Sequence, residues 1–237
     1  MMGSTHATSG AVVWLAVAPI LHLGSPAEVA VGAVCAAGAA LLPDLDHHSA
    51  TPARAFGFAS RGLAWLIGKV SGGHRHATHS LLGLAGFTAA AWWATHHRGW
   101  PLIVLLTVLG GMAVRALGPR PRDRRWRLDY ADVAGLVHAG GLGWVAYQLV
   151  TSGMDLRVVP WAVAVGTAAH IVGDMLTKQG CPLLWPLPFR FRVASITTDS
   201  WVERWLVAGA LYAALAGIAY RTYGTWGPVL LNTITRS

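Results

Sequence analysis

Residues 158–176 read VVPWAVAVGTAAHIVGDML, an apolar run whose sole ionisable side chains are His170 and Asp174. A run of this length and composition suits a helix crossing a bilayer, whose hydrocarbon core takes ~20 apolar residues. His170 and Asp174 stand four apart and so share one face of that helix. An ionisable pair within a membrane segment is by default a functional hypothesis, because leaving it unpaired in hydrocarbon is costly. The plainer alternative is a His–Asp hydrogen bond that holds two helices together.

The same pattern extends outward in both directions. Apolar windows fall at roughly 11–23, 27–42, 79–97, 100–118, 131–150, 158–176 and 204–220, which predicts an all-α, polytopic helical membrane bundle of about six to seven helices. Composition agrees: 54% of residues are hydrophobic and 12% charged, with a mean hydropathy of +0.48, about half the charge of a soluble domain. No long polar block divides the 237 residues, so 1–237 is expected to form a single membrane-embedded domain. Small-residue runs such as Gly32 to Ala40 suit close helix packing in lipid. Cys35 and Cys181 form no C-x-x-C pair, so neither a redox motif nor a thiolate zinc site is indicated. The first residues lack a basic segment and a small-residue cleavage site, so the run from Ala11 is expected to be retained.

Basic residues set the expected orientation. Arg115, Arg120, Arg122, Arg124, Arg125 and Arg127 face Asp123 alone, and Arg54, Arg61, Lys69 and Arg75 lie two helices away. Under the positive-inside rule these loops, and the one with Lys178, Arg190 and Arg192, are cytoplasmic. The expectation is a multi-pass protein of the cytoplasmic (inner) membrane with a cytoplasmic N-terminus. The same rule accounts for the basic loop and the pI near 10.3, so no nucleic-acid partner is expected.

Four clusters fall at the cytoplasmic ends of these segments: Thr5-His6, Asp44 with Asp46 and His47, His74 to Ser80, and His170 with Asp174. The chain has 10 acidic residues, and three of them keep this company. Converging histidine nitrogens and aspartate oxygens suit a divalent metal, and His6, Asp44, Asp46, His74, His79, His170 and Asp174 are the candidate ligands. Without thiolate the set fits Zn²⁺, with Mn²⁺ or Fe²⁺ as alternatives, and seven ligands exceed what one tetrahedral ion takes, so more than one ion is expected. The bland readings are a solvated turn for Asp44 and Asp46 after Pro43 and helix caps for Thr78 and Ser80. His47 stands as a further ligand or an outer partner. His22, His96, His97 and His138 have no acidic neighbour and are expected to be packing residues.

Leu42-Pro43-Asp44-Leu45-Asp46-His47, then His74-Arg75-x-x-Thr78-His79-Ser80-Leu81-Leu82, then His170-Ile171-Val172-Gly173-Asp174-Met175-Leu176-Thr177 followed by Gly180-Cys181-Pro182-Leu183-Leu184-Trp185-Pro186 carry a resemblance. In order and wording they are similar to the YdjM-type family of bacterial inner-membrane proteins, regarded as metal-dependent hydrolases distantly like zinc-dependent phospholipase C. The resemblance covers the N-terminal 80 residues and 165–205, where Glu203-Arg204 also fits, and it leaves 97–157 as an inserted helix pair around the Arg-rich loop. Where the family usually has Gly this chain has His76, an extra polar group near the site.

The resemblance implies a metal-dependent hydrolase; the ligand set suits metal-activated water, and a site at the cytoplasmic surface of the lipid bilayer makes a phosphoester or lipid-linked substrate the expected class. Asp46 or Asp44 would act as base, and Arg75 would bind a phosphate oxygen. The alternative is a metal-binding membrane protein or metal transporter without hydrolytic activity. A transporter carries its ligands near the midplane on broken helices, whereas these cluster at segment ends.

Overall fold

The computed structural model describes residues 1–118, 129–218 and 220–221. Among them the chain is all-helical: α1 (Gly3–Ile20), α2 (Pro26–Ala39), α3 (Gly57–Val70), α4 (Leu81–His97), α5 (Trp100–Leu117), α6 (Asp129–Thr151), α7 (Val158–Met175) and α8 (201–218), which opens with a π-helical stretch at Val202–Val207. Two isolated bridges, Thr177 with Ile196 and Cys181 with Phe191, pin the α7–α8 connection.

α2 is the centre of the bundle and packs against α1, α5 and α7. It starts on a capping box, in which Ser25 Oγ accepts from Glu28 N and Glu28 Oε2 from Ser25 N, with Pro26 at the first helical position. Its small residues let three helices approach at backbone range. A Cβ on Gly166 of α7 would lie 2.3 Å from the Ala36 carbonyl oxygen, and one on Gly38 would lie 2.1 Å from that of Leu109 in α5. Trp14, Leu102, Leu109, Met112, Val159 and Val163 fill the buried core around this meeting point.

The segments Pro26–Asp46, Trp100–Leu117 and Val158–Met175 are long and apolar enough to cross a membrane. Exposed Trp92, Trp93, Trp100 and Trp161 sit toward one end of the helices, and exposed Trp65, Trp201 and Trp205 at the other. That distribution suits a bilayer's two interfaces.

Two departures from the expected layout bear on function. α1 begins at Gly3, so His6 lies within the helix; Thr8 Oγ1 donates to the Ser4 carbonyl and Ser9 Oγ to that of His6, letting polar first turns stay helical. The 43–78 stretch, expected as a loop, contains α3. Arg61 and Lys69 break its apolar pattern, which hides it from a search for charge-free windows. It presses its small face, Gly57, Ser60 and Ala64, inward and leaves Phe58, Trp65, Leu66 and Val70 exposed. At 14 residues it is short for a span and has the character of an interfacial helix. The 97–157 region is α5 and α6; of its Arg-rich loop, residues 119–128 lie outside the described ones.

Candidate metal centre

One end of the bundle collects the start of α1, the Pro43–Asp46 turn after α2, the Ala77–His79 turn before α4 and the end of α7. These elements bring His6, Asp44, Asp46, His74, His79, His170 and Asp174 together. Three overlapping sets have ligand atoms within 4.8 Å of one another: Asp44, Asp46, His74 and His79; His6, Asp44 and His170; His79, His170 and Asp174.

The inner geometry is the informative part. His79 Nε2 lies 3.5 Å from Asp44 Oδ1 and 3.6 Å from Asp174 Oδ2, and His170 Nε2 lies 3.9 and 3.6 Å from the same two oxygens. A tetrahedral ion with ligand bonds of ~2.0–2.2 Å needs neighbouring ligand atoms ~3.3–3.6 Å apart. Among the described residues His79 Nε2 and His170 Nε2 are buried without a hydrogen-bond partner, and they face Asp174 Oδ2, which is ion-paired to Arg75 Nη2 at 3.0 Å. Each such orphan nitrogen costs about 1–3 kcal/mol, and a cation between them and the carboxylates removes the cost of both. The residues present therefore fit a divalent metal.

Their orientation is built from outside. His170 Nδ1 donates to the Ala40 carbonyl at 2.7 Å, which satisfies a carbonyl at the end of α2 and leaves Nε2 to face the centre. His6 stacks on His170 at 3.8 Å between ring centroids and turns Nε2 to within 3.4 Å of Asp174 Oδ1. Asp46 is a hub: its Oδ1 accepts from His74 Nδ1 at 2.7 Å, and its Oδ2 accepts from Arg75 N at 2.9 Å and Thr78 Oγ1 at 2.7 Å. Thr78 is thus a carboxylate partner, while Ser80 caps α4 by accepting from Gly83 N.

Arg75 is buried and committed. Its backbone sits at φ 59°, in the left-handed region that costs a non-glycine residue energy. That turn lets its amide reach Asp46 while Nη2 donates to Asp174 at 3.1 Å and Nη1 to Thr177 Oγ1 and the Gly180 carbonyl. The Thr78 and Thr177 contacts are absent from the sequence reading, although both residues lie inside its quoted motifs. Glu203 is buried and accepts from the amides of Met2 and Asp199, tying α8 to the start of α1.

Other histidines take local partners. His96 and His97 donate to the Trp92 and Trp93 carbonyls, and His76 to that of His74. Burial disfavours a charged His79, but hydrogen bonds and attraction from Asp44 and Asp46 outweigh it and push the ring up to about 9. Burial pushes the nearby Cys181 thiol up to about 12, so it stays protonated and leaves the donor set as nitrogen and oxygen.

Fold and side chains together define a helical membrane protein with a His/Asp cluster able to hold a metal ion. The chain belongs to the YdjM inner membrane protein family, whose model matches residues 1–234. No curated protein and no solved structure matches it.

Proposed function

We propose that the protein is a membrane-bound metal-dependent hydrolase that cleaves a phosphoester of a lipid or lipid-linked substrate. The observation that carries this reading is the convergence of two buried imidazole nitrogens without hydrogen-bond partners, His79 Nε2 and His170 Nε2, on the carboxylate oxygens Asp174 Oδ2 and Asp44 Oδ1. Zn²⁺ suits the donor set best, with Mn²⁺ or Fe²⁺ as alternatives. Asp44 and His79 belong both to the inner group with His170 and to the outer group with Asp46 and His74, which supports two ions side by side. Bound there, such ions supply a lowered pKa for water and neutralise charge developing on phosphate.

The chain's own part is positioning and proton transfer. Asp44 is half-buried, and among the described residues its nearest charged partner is His79 Nε2 at 3.5 Å, so its carboxylate is the freer candidate base. Asp46, with both oxygens engaged, orients His74 and the 74–79 turn. Arg75 holds Asp174, and phosphate contact by its guanidinium would require loosening that grip.

A lipid substrate is supported by α3, which packs against the Pro43–Asp46 turn and exposes Phe58, Trp65 and Leu66. A cleft of about 220 Å³ lined by Asp46, His48, Ala64, Trp65, Gly68 and Lys69 lies between that helix and the end of the Pro43–Asp46 turn. Against a transporter, α7 runs unbroken through His170 and Asp174, and the ligands gather at helix ends. We place the centre and the N-terminus on the cytoplasmic side, because Arg54, Arg61, Lys69, Arg190 and Arg192 share its end of the bundle.

The test is a hydrolysis screen of metal-loaded protein in nanodiscs against phospholipids, lipid-linked phosphoesters and soluble phosphodiesters. Cleavage of a lipid phosphoester by wild type, abolished in Asp44→Asn, is the expected result. Full metal occupancy without turnover of any substrate would leave a metal-holding membrane protein in place of a hydrolase.

A further inference from the structure

The inner ligands of the proposed centre are enclosed, while Asp44 and His74 reach the surface with side chains 17% and 36% exposed. His79, His170 and Asp174 are fully buried, and a hydrated divalent cation cannot cross their apolar surroundings without losing its water shell. An ion must therefore arrive along polar groups that replace water as it goes. Five ring contacts trace such a line from the surface to the interior. Centroids lie 5.2 Å apart for His48–His47, 4.7 Å for His47–His74, 5.3 Å for His74–His79, 5.0 Å for His79–His170 and 3.8 Å for His170–His6. The outer end, His48, is exposed, and the His74 side chain is 36% exposed.

We propose that His48, His47 and His74 form the uptake path by which a transition-metal ion reaches the buried centre. This rests on the metal-centre reading above. An ion bound ~2.1 Å from one imidazole nitrogen comes within reach of a ring about 5 Å away before the first lets go, so each transfer exchanges ligands without a bare ion. Charge favours this side. Asp46, bonded to His74, and then Asp44 draw a cation inward along the line, whereas the Thr177 and Gly180 flank carries the Arg75 guanidinium, which repels it. The cleft over Asp46 and His48 supplies the opening, and Lys69 on its wall is held 4.1 Å above the Trp65 ring. Imidazole steps also select: Zn²⁺, Fe²⁺ and other borderline ions bind nitrogen, while Mg²⁺ and Ca²⁺ prefer oxygen. His47 and His48 belong to none of the converging ligand sets, so their work is transit.

The experiment uses full-length protein in detergent, stripped with a chelator and mixed with buffered Zn²⁺, with uptake followed by a zinc indicator in stopped flow. The His47→Gln/His48→Gln double variant should load about tenfold more slowly than wild type and reach the same final stoichiometry. A His96→Gln/His97→Gln variant, altered at the far end of α4, should load at the wild-type rate. Thermal unfolding checks that each is folded, and the exposed His48→Gln alone serves if the double variant is not. Wild-type loading rates in the folded variant, or equal slowing in the far-end control, overturn the uptake path and leave the centre standing. A wild type that takes up no zinc at equilibrium overturns both.

Discussion

The His170 ring donates from Nδ1 to the Ala40 carbonyl oxygen across 2.7 Å, so one side chain both closes the end of α2 and aims Nε2 at Asp174 and Asp44. His170→Leu removes both functions. Metal content should fall, and even in chelator-stripped protein the thermal midpoint should drop, because the unpaired Ala40 carbonyl costs about 1–3 kcal/mol. An unchanged midpoint in stripped protein would mean that the Ala40 bond contributes nothing to the fold.

Acidity offers a second test through His79, held up at about 9 by Asp44 and Asp46 against the cost of burial. Its unfolded value is ~6.5, so a folded value above it stabilises the stripped protein fully below pH ~6.5, and that stabilisation is lost as pH climbs through 9. Metal binding runs the other way, since the ligand must shed its proton. Thermal midpoints of stripped protein should fall between pH 6.5 and 9, while the increment from added Zn²⁺ should grow over the same interval. A flat profile for stripped protein would show that His79 carries no extra proton there.

Backbone proximity gives a third. Gly166→Ala puts a Cβ 2.3 Å from the Ala36 carbonyl oxygen and must push α7 off α2, at about 1–3 kcal/mol. Gly86→Ala in α4 meets nothing within 4 Å and should be neutral or slightly stabilising. Thermal unfolding of the two variants compares them directly.

Orientation can be read by cysteine labelling, because Cys35 and Cys181 are buried and give little background. Gly62→Cys on the exposed face of α3 should react with an impermeant reagent only in inverted vesicles, and Ser152→Cys, after α6, only in intact cells. The reverse pattern would move the centre to the outer face.

Seven of the eight helices among the described residues are legible as apolar windows because lipid-facing segments exclude charge. α3 escapes because its exposed face mixes Phe58, Trp65 and Leu66 with Arg61 and Lys69. The ligands are legible as residue types, since so few carboxylates each keep a histidine for company. Their convergence is not, because it depends on Gly38 and Gly166 docking against Leu109 and Ala36, contacts between distant segments that no local pattern records. Arg75 reads in sequence as a free cation beside the site. In the fold, its left-handed backbone turns it inward onto Asp174. Thr78 and Ser80 look equivalent as caps, and only the position of Asp46 separates them.

The most direct test of the central claim is metal analysis of detergent-purified protein coupled with X-ray absorption at the metal edge. The account expects one to two equivalents of a divalent transition metal with a nitrogen and oxygen shell at ~2.0–2.2 Å, imidazole scattering and no sulfur, lost in Asp174→Asn. A protein that holds no metal after exposure to Zn²⁺, Mn²⁺ and Fe²⁺, or an Asp174→Asn variant that keeps full occupancy with an unchanged shell, would contradict it.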